Sequence, residues 1–186
     1  RAMGLICELP EVIWEAKKEY EELKSKAFTL KEQYGSSDNI LALGDNAAFM
    51  KHLIDDGMEG KIQQIYIDPP FFSKASYDAV IKVHGADGEM AVKHRAYEDV
   101  WKEGMAEYLK MLAIRLMLMR DLLSREGTIW VHLDWHGVHY VKIIMDEIFG
   151  EKNFINEIIW TYKSGGSSKR HFARKHDTIL VYAKSD

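Results

Sequence analysis

Cysteine and proline are scarce in this chain of 186 residues, which has one of the first and three of the second. The single Cys7 excludes an intrachain disulfide and a cysteine zinc cluster, and it fits a reducing, cytoplasmic setting. No apolar run approaches the ~20 residues that span a bilayer, and no signal peptide is visible, so no membrane partner is expected. Positive charge is not in excess: the formal net charge is −4. That excludes a general basic coat for nucleic acid and leaves only a local patch. What is present is an ordinary globular composition, 47% hydrophobic and 29% charged, with apolar material enough for a core.

Hydrophobic spacing predicts a helix over residues 10–34, in which Val12, Ile13, Ala16, Tyr20, Leu23, Ala27 and Leu30 recur at helical intervals. Gly35-Ser36-Ser37-Asp38-Asn39 breaks it. The break divides the chain into an N-terminal helical extension, 1–36, and a second unit, 37–186. There, residues 40–43 read as a short strand, 46–55 as a helix and 62–67 as a strand apolar enough to be central. The polar, glycine-containing stretch from Ser73 to about Lys102 predicts a loop. A strong helix is expected over 104–125, stopped by Gly127. A strand over 128–133 has bulky residues on both faces, as a buried parallel strand does. A helix over 136–149 and strands over 154–162 and 178–183 complete the pattern, the last two pairing as a hairpin. The order is that of an α/β fold.

Two of the three prolines are adjacent, in Ile65-Tyr66-Ile67-Asp68-Pro69-Pro70-Phe71. Each proline fixes φ near about −65° and removes a backbone N–H, and each pushes its predecessor into an extended conformation. Asp68 and Pro69 are therefore held extended just past the carboxyl end of a strand, where open α/β sheets place their ligands. The Asp68 carboxylate and the Pro69 carbonyl make a rigid pair of acceptors beside an aromatic ring. Such a pair suits an exocyclic amino group on a nucleic-acid base. Two acceptors hold its two hydrogens, and the lone pair is released toward an electrophilic methyl. Phe71 would stack on a base that has left its helix.

Asp68-Pro69-Pro70-Phe71 resembles the catalytic motif of the DNA adenine-N6 and cytosine-N4 methyltransferases. The similarity continues through Gly127-Thr128-Ile129-Trp130-Val131-His132-Leu133-Asp134, Asp146-Glu147-Ile148-Phe149-Gly150, Ile158-Ile159-Trp160, and His176-Asp177 with Ile179 to Lys184. This is the style of the beta class, which includes type III modification subunits, and it covers roughly residues 40–186. The resemblance implies a partial Rossmann-like methyltransferase sheet flanked by helices, with an N-terminal helix added. It implies S-adenosylmethionine as methyl donor and DNA as substrate. Adenine N6 is favoured over cytosine N4 because the motif begins with Asp. A restriction subunit and a second copy of the chain are the protein partners it allows. Asp45 is similar to the family's acidic contact with the cofactor's adenine, and it reads equally well as the N-cap of the following helix. Phe71 stands where tyrosine is commoner.

The family's glycine-rich cofactor loop follows the catalytic motif, yet no Gly-x-Gly occurs in these residues. The resemblance therefore implies a catalytic half that is inactive alone and binds the cofactor weakly. A catalytically silent nucleic-acid-binding or assembly module is the alternative. In the family, the strand of residues 62–67 has a neighbour from the cofactor-binding half. Its edge is expected to be covered here by the N-terminal segment, by residues 40–43 or by a second copy.

Lys163, Lys169, Arg170, Arg174 and Lys175 place five positive charges in thirteen residues with no acid, interleaved with His171, Phe172 and His176. In an acidic chain this reads as a phosphate-tracking loop, with a plain solvated loop as the other reading. Trp160 and Tyr162 share a face of their strand and could line a pocket or pack in the core. Asp134 is either a site residue or the N-cap of the helix after it. His132 reads as a hydrogen-bonded core histidine. His136 and His139 lack the carboxylate motif of a zinc site, and no metal is expected.

Overall fold

The computed structural model describes residues 5–35, 38–72, 76–85, 88–98, 104–163 and 170–185. Its helices are α1 (Leu9–Lys24), α2 (Asn46–Leu53), α3 (Met105–Leu122) and α4 (Val138–Phe149). Its strands are β1 (Ile62–Ile67), β2 (Ser76–Gly85), β3 (Gly88–Glu98), β4 (Leu123–Leu133), β5 (Phe154–Thr161) and β6 (His176–Ala183). Four of the strands form a mixed sheet in the order β1-β4-β6-β5. β1 and β4 are parallel, joined through α3, while β6 runs antiparallel to both of its neighbours. The fold is α/β, with helices packed on the sheet. No helix among the described residues is long and apolar enough to cross a membrane.

Alternation along β4 shows how the sheet is covered. Ile129, Val131 and Leu133 are fully buried and join Leu180 and Tyr182 of β6 in one core with α1, α3 and α4. Trp130 and His132, which point the other way, stay partly exposed, as do their neighbours on β1. β4 is thus buried on one face, and the expectation of a strand buried on both fails. Bulk alone does not distinguish an apolar face from an aromatic, half-wet one.

Other elements also depart from the periodicity. α1 ends at Lys24, ten residues early. Leu9, Val12 and Ala16 are buried against the body of the fold, whereas Ala27 and Leu30 are exposed. Helical spacing without an apolar partner does not sustain a helix, because most helical stability comes from packing. Residues 40–43 form no strand, and Ile40, Leu41 and Leu43 are exposed. Within the expected loop of 73–102 the backbone forms the β2–β3 hairpin, closed at the Gly85–Gly88 pair; residues 73–75, 86–87 and 99–103 lie outside the described set. Gly85 and Gly88 around two residues, after the β-branched Val80, Ile81 and Val83, were the available signal for it. Gly127 does not stop α3. It lies in β4, where the register against β1 shifts, and a Cβ there would meet the Ile62 carbonyl oxygen at 2.8 Å.

β1 is an edge strand, not a central one. α1 does not cover that edge. It packs on α3, with the Tyr20 hydroxyl donating to Asp121 and Lys17 paired to Glu147 at 2.7 Å. The amphipathic stripe of α1 finds the helical layer because that is where unpaired apolar surface lies; a bare strand edge offers backbone polar groups instead.

Candidate active site

Asp68, Pro69, Pro70 and Phe71 follow the last residue of β1 directly, at the carboxyl end of the sheet. Asp68 is exposed and the two prolines are half-buried. A cavity of about 560 Å³ opens here, lined by Tyr66 to Pro70, by Asn46 at the start of α2, and by Met111, Leu112, Arg115 and Met119 of α3. The expected acceptor array thus borders an open cleft.

The two rings after the prolines diverge. Phe71 lies 5.8 Å from the His132 ring, on the half-exposed face of the sheet. Phe72 is 7% exposed and packs 5.7 Å from Tyr108 of α3, on the core face. A positive φ of 61° at Phe72 accompanies this reversal. Non-glycine residues adopt that conformation only where the surroundings impose it, and such positions gather at functional sites. No composition or spacing signal marks Phe72 in the sequence.

Asp45 is the N-cap of α2, as one of its two readings expected. One oxygen accepts from Ala48 N–H at 3.0 Å and so caps α2, and the other accepts from Arg115 Nη2 at 2.9 Å. Arg115 also donates through Nε to the Asn46 side chain at 2.7 Å and through Nη1 to the Met111 carbonyl. A carboxylate has about four acceptor positions, so these bonds leave capacity for a ligand hydroxyl or amine. Arg115, whose role the sequence did not reveal, ties α2 to α3 along the rim of the cleft.

A second polar group crosses the same end of the sheet. His132 bridges Tyr66, 2.8 Å from Nδ1, and Asp177, 3.3 Å from Nε2. Burial, with the Asp68 carboxylate nearby, pushes the Tyr66 phenol up. Trp160 on β5 and Tyr162 just after it are exposed, so neither is a core residue. Asp134 accepts from the His136 backbone N–H at 2.9 Å and contacts its ring nitrogen at 2.6 Å, forming the turn into α4.

Of the basic segment, Lys163, Arg170, Arg174 and Lys175 are described, and Lys169 lies outside the described residues. The Arg174 guanidinium stacks on Trp135, which stacks in turn on His136. Phe172 is fully exposed.

A proline-stiffened acidic loop thus stands at the carboxyl end of a parallel strand, beside a cleft and followed by an aromatic ring. A family model described as DNA methylase matches residues 62–186, and the chain belongs to that family. It is similar to the Mod subunit of the type III restriction-modification enzyme EcoP15I of Escherichia coli, 26% identical over 173 residues, which covers 87% of this chain and 27% of that protein. It is also similar to the type II methyltransferases M.EcaI of Enterobacter cloacae, 34% identical over 78% of this chain and 29% of the relative, and M.KpnI of Klebsiella pneumoniae, 33% identical over 81% and 34%. The chain thus spans about a third or less of the length of these relatives.

Proposed function

We propose that the protein transfers a methyl group from S-adenosylmethionine to the exocyclic amino group of a flipped DNA base, adenine N6 in preference to cytosine N4, within a restriction-modification system. The observation that carries this reading is Asp68-Pro69-Pro70 at the end of β1, bordering the cleft, with Phe71 next in the chain against His132. Residues 37–186 would be the catalytic half of the methyltransferase domain and 1–36 an extension to it. DNA is the proposed partner, with a restriction subunit and a second copy as further ones.

Asp68 and the Pro69 carbonyl accept the two amino hydrogens of the base, which turns the nitrogen lone pair away from the ring. Phe71 stacks on the base and holds it out of the duplex. The cofactor, when bound, supplies an electrophilic methyl on a sulfonium. The cleft fits such a group: it is nucleoside-sized and mixes the Asn46 amide and the Asp68 carboxylate with the apolar Met111, Leu112 and Met119. Asp45 keeps acceptor capacity at its rim. Lys163, Lys169, Arg170, Arg174 and Lys175 would track the DNA backbone.

Transfer of labelled methyl groups to DNA by the intact protein tests the reading. Asp68→Ala is expected to lower transfer about 100-fold or more, the scale seen when an electrostatic stabiliser is lost, with DNA binding largely retained. Near-normal transfer by that variant refutes the role of Asp68.

A further inference from the structure

We infer that His132 is a positioning residue for this reaction, fixing the Phe71 ring at the end of the sheet. The inference rests on the function proposed above and adds to it a residue outside the Asp-Pro-Pro-Phe motif.

Both ring nitrogens of His132 are engaged, on either side of its own strand. A carboxylate only accepts, so the Asp177 oxygen 3.3 Å away places the proton on Nε2. In the neutral ring Nδ1 is then an acceptor, and the Tyr66 hydroxyl 2.8 Å away donates to it. A neutral imidazole satisfies both contacts in one tautomer and one ring orientation. Because Tyr66 is on β1 and Asp177 on β6, the ring is held from both neighbouring strands.

Phe71 rests against that fixed ring, with centroids 5.8 Å apart and planes tilted by 42°. The two prolines make Asp68 to Phe71 a stiff unit, so its orientation depends on what holds its far end. Two contacts do so. Phe72 is buried against Tyr108 on the core face, and Phe71 meets His132 on the other. The first sets the path of the backbone; the second sets where the stacking ring stands. His132 itself is largely covered, with a side chain 17% exposed, and it acts through Phe71 without touching the base.

The experiment compares wild type, His132→Ala, His132→Asn and Tyr66→Phe in the intact protein, measuring methyl transfer over ranges of DNA and cofactor. A fluorescent purine analogue at the target position reports base stacking. His132→Ala is expected to lower kcat about 10-fold or more and weaken the stacking signal, with KM for the cofactor within about two-fold, since misplacing a reacting group by an ångström costs rate. His132→Asn offers a carbonyl in place of Nδ1 and is expected to recover most of the loss. Tyr66→Phe removes only the donor from a side chain that is 51% exposed, and is expected to fall between them.

Unchanged kcat in His132→Ala overturns the inference. So does an equal loss in Ala and Asn that follows the fall in melting temperature, which would mark a purely structural histidine. If His132→Ala does not fold, Tyr66→Phe decides alone: reduced kcat supports the inference and wild-type kcat overturns it. A wild type that methylates no DNA removes the proposed function as well, and is thereby distinct from failure of the inference alone.

Discussion

The guanidinium of Arg174 lies 3.8 Å from the ring centre of Trp135, whose ring is 3.6 Å from that of His136. At such separations the two neighbours take opposite faces of the indole. A cation stacked on tryptophan contributes about 0.5–1 kcal/mol at an exposed site, and the stack fastens the basic segment to the turn before α4. Stacking uses the plane of the guanidinium and leaves its N–H rim for a phosphate.

Trp135→Ala changes no charge, so it is expected to weaken DNA binding while leaving the slope of log K against log salt unchanged. Joint removal of Lys169, Arg170, Arg174 and Lys175 should flatten that slope, by about 0.9 for each phosphate that is no longer neutralised. In a double-mutant cycle, Trp135→Ala and Arg174→Ala are expected to be non-additive. Wild-type affinity in the tryptophan variant, or strict additivity, would show that the stack does not position the segment.

Residues 1–186 on their own are expected to bind S-adenosylmethionine more weakly than micromolar. The cleft supplies Asn46 and Asp68, but residues 1–186 contain no Gly-x-Gly loop to wrap the methionine part. Isothermal titration giving micromolar affinity would contradict this, and would mean that the described cleft suffices.

Gly127→Ala is expected to destabilise the fold by about 1–3 kcal/mol, the usual cost of overpacking. The added methyl would press on the Ile62 carbonyl at 2.8 Å, against backbone that cannot rotate away. Gly127 lies where the β1–β4 register shifts, so displacement of Ile62 is expected to move β1 and Asp68 with it. Chemical denaturation measures the loss; an unchanged midpoint would mean the strand start is loose.

Burial, then the hydrogen bond to Asp121, pushes the Tyr20 phenol up to about 12. Folding therefore favours the neutral phenol. Its contribution is fully present below about pH 10, the ordinary tyrosine value, and is lost as pH rises through the folded-state value. Tyr182, raised by burial and by its bond to Asp146, acts in the same direction. Thermal melts between pH 8 and 11, values taken as roughly spanning that onset, should fall more steeply for wild type than for Tyr20→Phe. Parallel curves would rule out the α1 contact as the source.

The placement of Asp68 to Pro70 after a strand, beside the cleft, was legible because it is local. Adjacent prolines dictate the backbone of Asp68 and Pro69 whatever lies around them, and the apolar stretch before them dictates a strand. The same holds for the type of α3 and α4, whose apolar stripes are long, although α3 ends at Leu122 and hands residues 123–125 to β4. Asp45 was half legible: a capping side chain can be read from its place before a helix, but its second bond, to Arg115, is 70 residues away.

What depended on distant partners was decided only by the tertiary structure. Nothing in residues 25–34 forbids a helix, but all except the partly covered Phe28 are exposed, and without a packed apolar face none forms. Among the described residues β1 pairs with β4 alone, and its place follows from which other strands are there to pair with. His132 reads in sequence as a hydrogen-bonded core residue. Its link to Phe71 requires the register that brings β1, β4 and β6 together, because a side chain's neighbours across a sheet are set by pairing and not by spacing along the chain.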